Sequence, residues 1–204
     1  SDVRQLTATS ENEEHPEFTP DGKRIVFVRD YEARTEIWIM GADGRNPRRL
    51  TRNDARDERP FVSADGRRIV FMSNRDGNYE IYAMAMDGSR QTRLTRTPEW
   101  EIFPTWSPDG REIAYARKFR AEGRMQGMLR AMRADGSGDR EITRVETRDE
   151  NPAWSPDGRF LVFQSVRDGN FEVYRAARDG SDPVRLTDDP AWDGWAAFVP
   201  VRRR

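Results

Sequence analysis

The sequence predicts an all-β protein that folds as a β-propeller of four-stranded antiparallel blades. One phrase of about 44 residues recurs four times along the 204-residue chain, and a Leu-Thr or Ile-Thr pair closes each copy. A repeat this short cannot bury an apolar face alone, so successive copies must pack against one another. Short runs of β-branched and aromatic residues between Asp-Gly pairs indicate that each copy is a sheet.

Each copy predicts four strands, which we name A to D in chain order. In the second copy, residues 69–72 form the apolar run of strand B and residues 80–84 that of strand C. Asp-Gly pairs follow strands A, B and C there, and glycine accepts the positive φ that tight hairpin turns require. The four complete blades are expected at about residues 15–51, 59–95, 103–143 and 151–187.

When the four copies are aligned, one partial strand remains at each end of the repeats. Residues 3–7 match a strand D and residues 195–200 match a strand A, without strands B and C between them. We expect a single domain over residues 1–204, whose ring is either compact and closed by these strands or part of a larger ring or assembly. An unpaired edge strand is a place where a partner can add.

Composition and motifs exclude several classes of function. With 35 basic and 36 acidic residues the formal net charge is −1, which does not favour nucleic acid. No apolar run approaches the roughly 18 residues of a spanning helix, so direct membrane insertion is not predicted. Cysteine is absent and His15 is the single histidine. Phosphate-binding, nucleophile-elbow and zinc-protease motifs are also absent, so we predict a protein without a cofactor and without catalysis.

The repeated phrase also resembles a known family. Its parts are Pro-x-Trp-Ser-Pro-Asp-Gly at residues 152–158, then Ser-x-Arg-Asp-Gly-Asn-Phe/Tyr-Glu-Ile/Val-Tyr, then Asp-Gly and Arg-Leu-Thr. This pattern resembles the WD-like propeller repeat of the TolB family and covers nearly the whole chain. The resemblance implies blades around a central channel and a binding platform in the bacterial envelope, hence a periplasmic or otherwise exported protein. Related blades form the propellers of prolyl oligopeptidase-type peptidases.

The two faces of the predicted ring differ in charge. Interblade crossovers and B–C turns share one face of an antiparallel meander, and the A–B and C–D turns share the other. The five crossovers together carry −8, which leaves +7 for the rest of the chain. The first face is therefore acidic near the axis and the opposite face is basic.

One carboxylate recurs in every crossover. A ring of carboxylates at the channel mouth would attract a cation or a basic peptide. Alternatively, each carboxylate makes a structural hydrogen bond to loop amides. No copy has the ligand spacing of a calcium loop, so no metal site is predicted. The five positions are Glu13, Asp57, Glu101, Asp149 and Asp193.

Positions that break the repeat are the stronger candidates for partner binding. Five different residues occupy the equivalent place directly before strand A, namely His15, Arg59, Phe103, Asn151 and Trp195. Trp100 and Trp192 add aromatic surface to the same crossovers, and aromatic residues with arginine dominate binding hot spots. These side chains could instead fill gaps between blades, and His15 could be an ordinary surface histidine.

The third B–C loop, at residues 116–127, contains the four-residue insertion of the third copy. Its basic and aromatic residues would suit an acidic partner, although a solvated hairpin is an equal alternative because surface insertions cost little. The candidates there are Arg117, Lys118, Phe119 and Arg120.

Together these features predict a non-catalytic propeller that binds a protein or peptide through its acidic, aromatic-bearing face. The alternative is a structural accessory subunit of a larger envelope or membrane-associated complex, docked through its open edge strands. A third interpretation is the propeller part of a peptidase, or of a glycosidase whose two carboxylates lie in the acidic ring.

Overall fold

A computed structural model of the chain describes residues 3–144 and 147–198, and it contains four antiparallel sheets of four strands each. Within each sheet, neighbouring strands follow chain order, as in a meander. This arrangement confirms the predicted β-propeller. Over the described residues, the structure has no helix of the length and apolarity needed to cross a membrane.

The strands have the following bounds. The first blade contains β1 (Asn12–Phe18), β2 (Arg24–Asp30), β3 (Thr35–Gly41) and β4 (Arg48–Arg49). The second contains β5 (Asp57–Val62), β6 (Arg68–Ser73), β7 (Glu80–Ala85) and β8 (Thr92–Arg93). The third contains β9 (Trp100–Trp106), β10 (Glu112–Ala121), β11 (Arg124–Arg133) and β12 (Arg140–Glu141). The fourth contains β13 (Asp149–Trp154), β14 (Phe160–Ser165), β15 (Glu172–Ala177) and β16 (Val184–Arg185).

Strand A, which is the innermost strand of each blade (β1, β5, β9 and β13), begins earlier than the sequence predicts, because it continues through a β-bulge. In the second blade, Glu58 pairs with Met72 and Phe61 pairs with Val70, so β5 holds one extra residue. The same irregularity occurs in β1, β9 and β13. Four of the five residues predicted to stand directly before strand A, namely His15, Arg59, Phe103 and Asn151, therefore lie inside it. A bulge bends the strand and redirects a side chain.

The backbone at the bulge is the same in every copy. Arg59 has a φ of 54° and is followed by Pro60. His15, Phe103, Asn151 and Trp195 also have φ between 51° and 59°. Left-handed backbone costs a non-glycine residue on the order of 1 kcal/mol, so the fold must hold this conformation in place.

The apolar core lies largely at the joints between blades. Ile37 and Leu50 of the first blade pack with Val62 and Phe71 of the second. The C–D turn of each blade also approaches strand D of the blade before it. A Cβ atom at Gly88, whose φ is 85°, would lie 2.6 Å from the Leu50 carbonyl oxygen. The joint therefore requires a glycine there.

The repeated polar residues build hydrogen bonds within each blade. In the second blade the Ser63 hydroxyl donates to Asp65 at 2.6 Å and accepts from the Arg68 amide at 3.0 Å, which closes the A–B turn. The buried Glu80 carboxylate binds Arg93 at 2.9 Å, which joins strand C to strand D. These contacts explain the Ser-x-Asp-Gly and Arg-Leu-Thr parts of the phrase.

The insertion in the third blade extends a hairpin instead of forming a loop. Strands β10 and β11 pair over ten residues each, as far as Ala121 and Arg124. Glu122 and Gly123 make the turn with φ of 52° and 77°. Two successive residues with positive φ match the twist of a two-residue hairpin, so the added residues continue the ladder.

The two terminal stretches lie at the predicted blade positions without forming a β-ladder. A Cβ atom at Gly44 would lie 2.6 Å from the Leu6 carbonyl oxygen, which matches the contact of Gly88 with Leu50. At the other end, Asp193 donates its amide to the Phe171 carbonyl at 2.9 Å, as Glu101 does to Tyr79. Residues 199 and 200 of the predicted last strand lie outside the described residues.

Candidate partner-binding site at the central channel

The innermost strands line a central channel with a cavity of about 240 Å³. The five residues at the bulge position come together on its wall, although they lie 44 or 48 residues apart in the chain. The bulge accounts for this, because it turns one side chain per innermost strand toward the axis. The residues are His15, Arg59, Phe103, Asn151 and Trp195.

Arg59 lies between two aromatic rings of this channel. Its guanidinium carbon is 4.1 Å from the centre of the Trp195 ring and 5.0 Å from that of Phe103. The two rings meet edge to face at 6.2 Å. Burial lowers the pKa of Arg59 to about 10, against the opposing influence of Glu58 and Glu14. Among the described residues, no carboxylate pairs with this guanidinium, so its donors remain available for a ligand.

His15 stands on the same wall, in surroundings that favour the neutral form of its imidazole. Burial lowers its pKa below 6.5, and the positive charge of Arg59 lowers it further. Its Nδ1 atom has no hydrogen-bond partner in the part of the chain that the structure describes, and the Glu14 carboxylate is 4.0 Å away. A neutral histidine offers one donor and one acceptor, which suits a peptide backbone.

Glu17 is a channel residue that the sequence analysis did not select. It lies two residues beyond His15 on β1, where the other blades have Phe61, Thr105 and Ala153. Burial raises the pKa of Glu17 to about 7. Within the described ranges its carboxyl makes no ion pair or side-chain hydrogen bond. The signal was present in the sequence, since an acid interrupts a position that is uncharged in the other blades.

The recurring carboxylates of the crossovers are bound by arginines. Three of them, Asp57, Glu101 and Asp149, are completely buried. Each partner is an arginine 16 or 18 residues later, in strand B or in the B–C turn of the same blade. The pairs are Glu13–Arg29 at 2.7 Å, Asp57–Arg75 at 2.9 Å, Glu101–Arg117 at 2.7 Å and Asp149–Arg167 at 3.0 Å.

This pairing matches the structural interpretation of the acidic ring, because four of its five negative charges are neutralised inside the blades. Burial raises the pKa of Glu101 to about 6, and Arg117 partly offsets that rise. Asp193 is partly buried and precedes no strand B in the described chain. Over residues 3–144 and 147–198, no three acidic, histidine or cysteine side chains gather in a way that could hold a metal ion.

The candidates in the third hairpin divide into two groups. Arg117 binds Glu101, and Lys118 binds Glu150 of the next blade at 2.8 Å, so both hold the structure together. Phe119 and Arg120 line a cleft of about 450 Å³ together with Trp100, and Lys118 also reaches its edge. Trp100 is 49% exposed and touches Tyr79 edge to face at 6.1 Å.

Trp192 lies apart from this cleft. It packs edge to face against Phe171 at 5.9 Å and is 56% exposed. The structure thus brings the five bulge residues together in the channel and gathers Trp100, Phe119 and Arg120 in the cleft. It leaves Trp192 on the crossover of the fourth blade.

Solved structures with a similar fold include both TolB proteins and a peptidase. TolB from Acinetobacter baumannii is 23% identical with a TM-score of 0.71, over 87% of this chain and 44% of that chain. The putative TolB from Agrobacterium tumefaciens is 24% identical with a TM-score of 0.68, over 90% and 83% of the two chains. A puromycin-hydrolyzing peptidase of Mycobacterium tuberculosis is 17% identical with a TM-score of 0.70, over 89% and 29%.

These identities establish the fold alone, and this chain spans less than half the length of the Acinetobacter protein. A family model carries the assignment further. The model described as the TolB beta propeller domain matches residues 2–133. Because that match covers more than half of the chain, the protein belongs to the TolB beta propeller domain family.

Proposed function

We propose that this protein is a non-catalytic propeller that binds a protein or peptide at the crossover face, which is the face formed by the interblade crossovers and the B–C turns. The channel-mouth surface, defined as His15, Arg59, Phe103, Asn151 and Trp195, would make the central contact. The neighbouring cleft of Trp100, Phe119 and Arg120 would extend it. Membership of the TolB propeller family supports a protein partner and, through the resemblance noted above, export to the bacterial envelope.

The state of Arg59 carries the proposal. Arginines at the blade positions of Arg29, Arg75, Arg117 and Arg167 each bind a carboxylate of their own blade. Arg59 is half-buried, held between two rings, and pairs with no carboxylate in the described chain. A desolvated guanidinium on an aromatic support is pre-oriented for a carboxylate or carbonyl group of a partner.

The composition of the surface also favours macromolecular binding. Trp100 and Trp195 are about half exposed, and both are large amphipathic side chains. Interface cores are enriched in tryptophan, tyrosine and arginine, which bury much area with few rotatable bonds. A cavity of about 240 Å³ is below the usual range of small-molecule pockets, so the channel accommodates one or two side chains of a partner.

The test is capture of partners from an envelope extract of the native source on immobilised protein. The double variant Arg59→Met with Trp100→Ala should lose the partner that the unchanged protein retains. The Arg159→Ala variant, on the opposite face, is the control and should retain it. Melting temperatures of all three proteins establish that the fold is intact. Equal capture by the double variant would contradict the role of this face.

A second candidate function is an accessory subunit that docks through its open blade faces. Phe18 is 61% exposed, whereas Val62, Trp106 and Trp154 at the same position are at most 8% exposed. Leu186 is 52% exposed, whereas Leu50 and Ile142 are 6% exposed. Size-exclusion chromatography with light scattering separates the two candidates, because a subunit of this kind should self-associate when isolated. The Phe18→Ser variant should then reduce that association.

A further inference from the structure

The face formed by the A–B and C–D turns, which we call the turn face, carries one exposed cation at the same position of each blade. Each A–B turn has a basic residue directly after its Asp-Gly pair, and all four are exposed. Within the described chain, none of these side chains donates a hydrogen bond to a protein acceptor or forms an ion pair. The residues are Lys23, Arg67, Arg111 and Arg159.

Two of these cations line a groove between the second and third blades. The groove has a volume of about 1130 Å³, and Arg67 and Arg111 lie on its wall with Arg90. Arg90 is also exposed and pairs with no carboxylate among the described residues. The floor includes Leu94 and Ala134. Three arginines with free donors therefore surround a partly apolar base.

The carboxylates of the groove are already engaged. Asp65 accepts the Ser63 hydroxyl at 2.6 Å and the Arg67 amide at 3.0 Å. Asp135 accepts the Ser137 hydroxyl at 2.7 Å. Glu112 binds Arg140 and Arg178, each at 3.1 Å. Six arginines and three carboxylates line the groove in all, so its formal charge is positive.

We propose that this groove binds an acidic polypeptide segment in an extended conformation. Guanidinium groups take carboxylates in bidentate pairs, and three of them along one groove would engage successive acidic side chains. The apolar floor would accept the uncharged residues between them. The site lies on the opposite face from the channel-mouth surface, so it is independent of the proposed function and a partner could occupy both.

Fluorescence anisotropy with a fluorescein-labelled hexaglutamate peptide tests the site at 20 mM and 200 mM sodium chloride. The peptide should bind at low salt and weaken at least tenfold at high salt, because exposed charges are screened. Hexaglutamine, which has nearly the same shape without charge, should not bind. Absence of hexaglutamate binding at low salt would overturn the proposal.

A matched pair of double variants locates the site. Arg67→Ser with Arg111→Ser removes two charges from the groove and should weaken hexaglutamate binding at least tenfold. Lys23→Ser with Arg159→Ser removes two charges from the same turn position outside that groove and should change binding less than threefold. Equal losses in both variants would mean a diffuse field of the whole face, and would overturn the groove assignment. An oligothymidylate of equal charge that binds as tightly as hexaglutamate would overturn the choice of carboxylates.

Discussion

The crossover face and the turn face of this propeller both carry one charged residue per blade, but the two sets have opposite surroundings. On the crossover face, four of the five recurring carboxylates are bound by arginines of their own blades, and three of these, Asp57, Glu101 and Asp149, are completely buried. On the turn face, Arg67 and its equivalents are exposed, and within the described chain they have no acidic partner. The presence of a charged residue at the same position of every blade therefore does not show whether that residue stabilises the fold. Whether the residue is buried and paired with an opposite charge does show this.

The residues at the β-bulge in the channel differ from both sets of recurring charged residues. At the bulge, the backbone conformation recurs in each innermost strand, while the side chain differs in every copy. The fold dictates a left-handed residue there and leaves its chemistry free. Such a position can change its side chain without disturbing the blade, which is what a binding site in a repeat protein requires.

The largest effect should follow from breaking a buried ion pair on the crossover face. Asp57→Ala removes the carboxylate whose two oxygens accept from Nη2 of Arg75 at 2.9 Å, and should lower the free energy of unfolding by about 3 kcal/mol. Chemical denaturation measures the change. Asp54→Ala is the control, because Asp54 is fully exposed and pairs with Arg34 at 3.6 Å, and its melting temperature should be unchanged. An equal loss in both variants would contradict the structural role of the recurring carboxylate.

A joint between blades should be nearly as sensitive. Gly88→Ala places a Cβ atom 2.6 Å from the Leu50 carbonyl oxygen, in addition to the cost of its positive φ. We expect a loss of about 2 kcal/mol or more in unfolding free energy. Gly77→Ala, with a φ of 109° and no atom within 4 Å of the added Cβ, carries the conformational cost alone and should lose less. Indistinguishable losses would remove the argument for close approach at the joint.

Glu17 should make stability depend on pH. Its pKa is raised from 4.5 to about 7 by burial, so between these values the folded protein binds more protons than the unfolded chain. Stability should therefore fall as pH rises from about 4.5 to 7, and the Glu17→Gln variant should lack this part of the decline. At pH 8 we expect the variant to gain on the order of 2 kcal/mol over the unchanged protein.

Thermal unfolding at pH 4.5, 6 and 8 measures this difference between the two proteins. The exposed Glu14, replaced by glutamine, is the matched control and should leave the profile as it is. Parallel profiles for the Glu17→Gln variant and the unchanged protein would show that the channel does not desolvate this carboxyl.

The smallest effect should come from the turn face. Lys23→Ser combined with Arg159→Ser removes two exposed cations that have no acidic partner in the described chain, so the melting temperature should not change. Differential scanning calorimetry at low salt is the most sensitive measurement, because screening is weakest there. A clear loss of stability would mean that these cations serve the fold, and the contrast between the two faces would disappear.

Some features of the site were accessible from the sequence because they follow from the repeat. Comparing equivalent positions singled out His15, Arg59 and Trp195, and the structure places them on one channel wall. The same comparison two residues later would have selected Glu17. Their role in binding a partner stays a prediction, as does the single domain over residues 1–204.

Other features could not be read from one sequence because they depend on distant contacts. Arg117 and Lys118 resembled an exposed basic loop, yet the extended hairpin places them beside Glu101 and Glu150. The charge of Arg117 is neutralised within its own blade, and that of Lys118 is neutralised by the next blade. Local composition gives no information about a partner that another crossover supplies.

The sequence by itself determined the four complete blades of this chain, their strand order and the turns, because each of these follows from local chemistry repeated at a fixed interval. Only the tertiary structure decided which charges are neutralised and which remain available to a ligand. A carboxylate in a crossover is functional or structural according to whether an arginine reaches it. That depends on how the strands of a blade fold back on one another and how neighbouring blades pack.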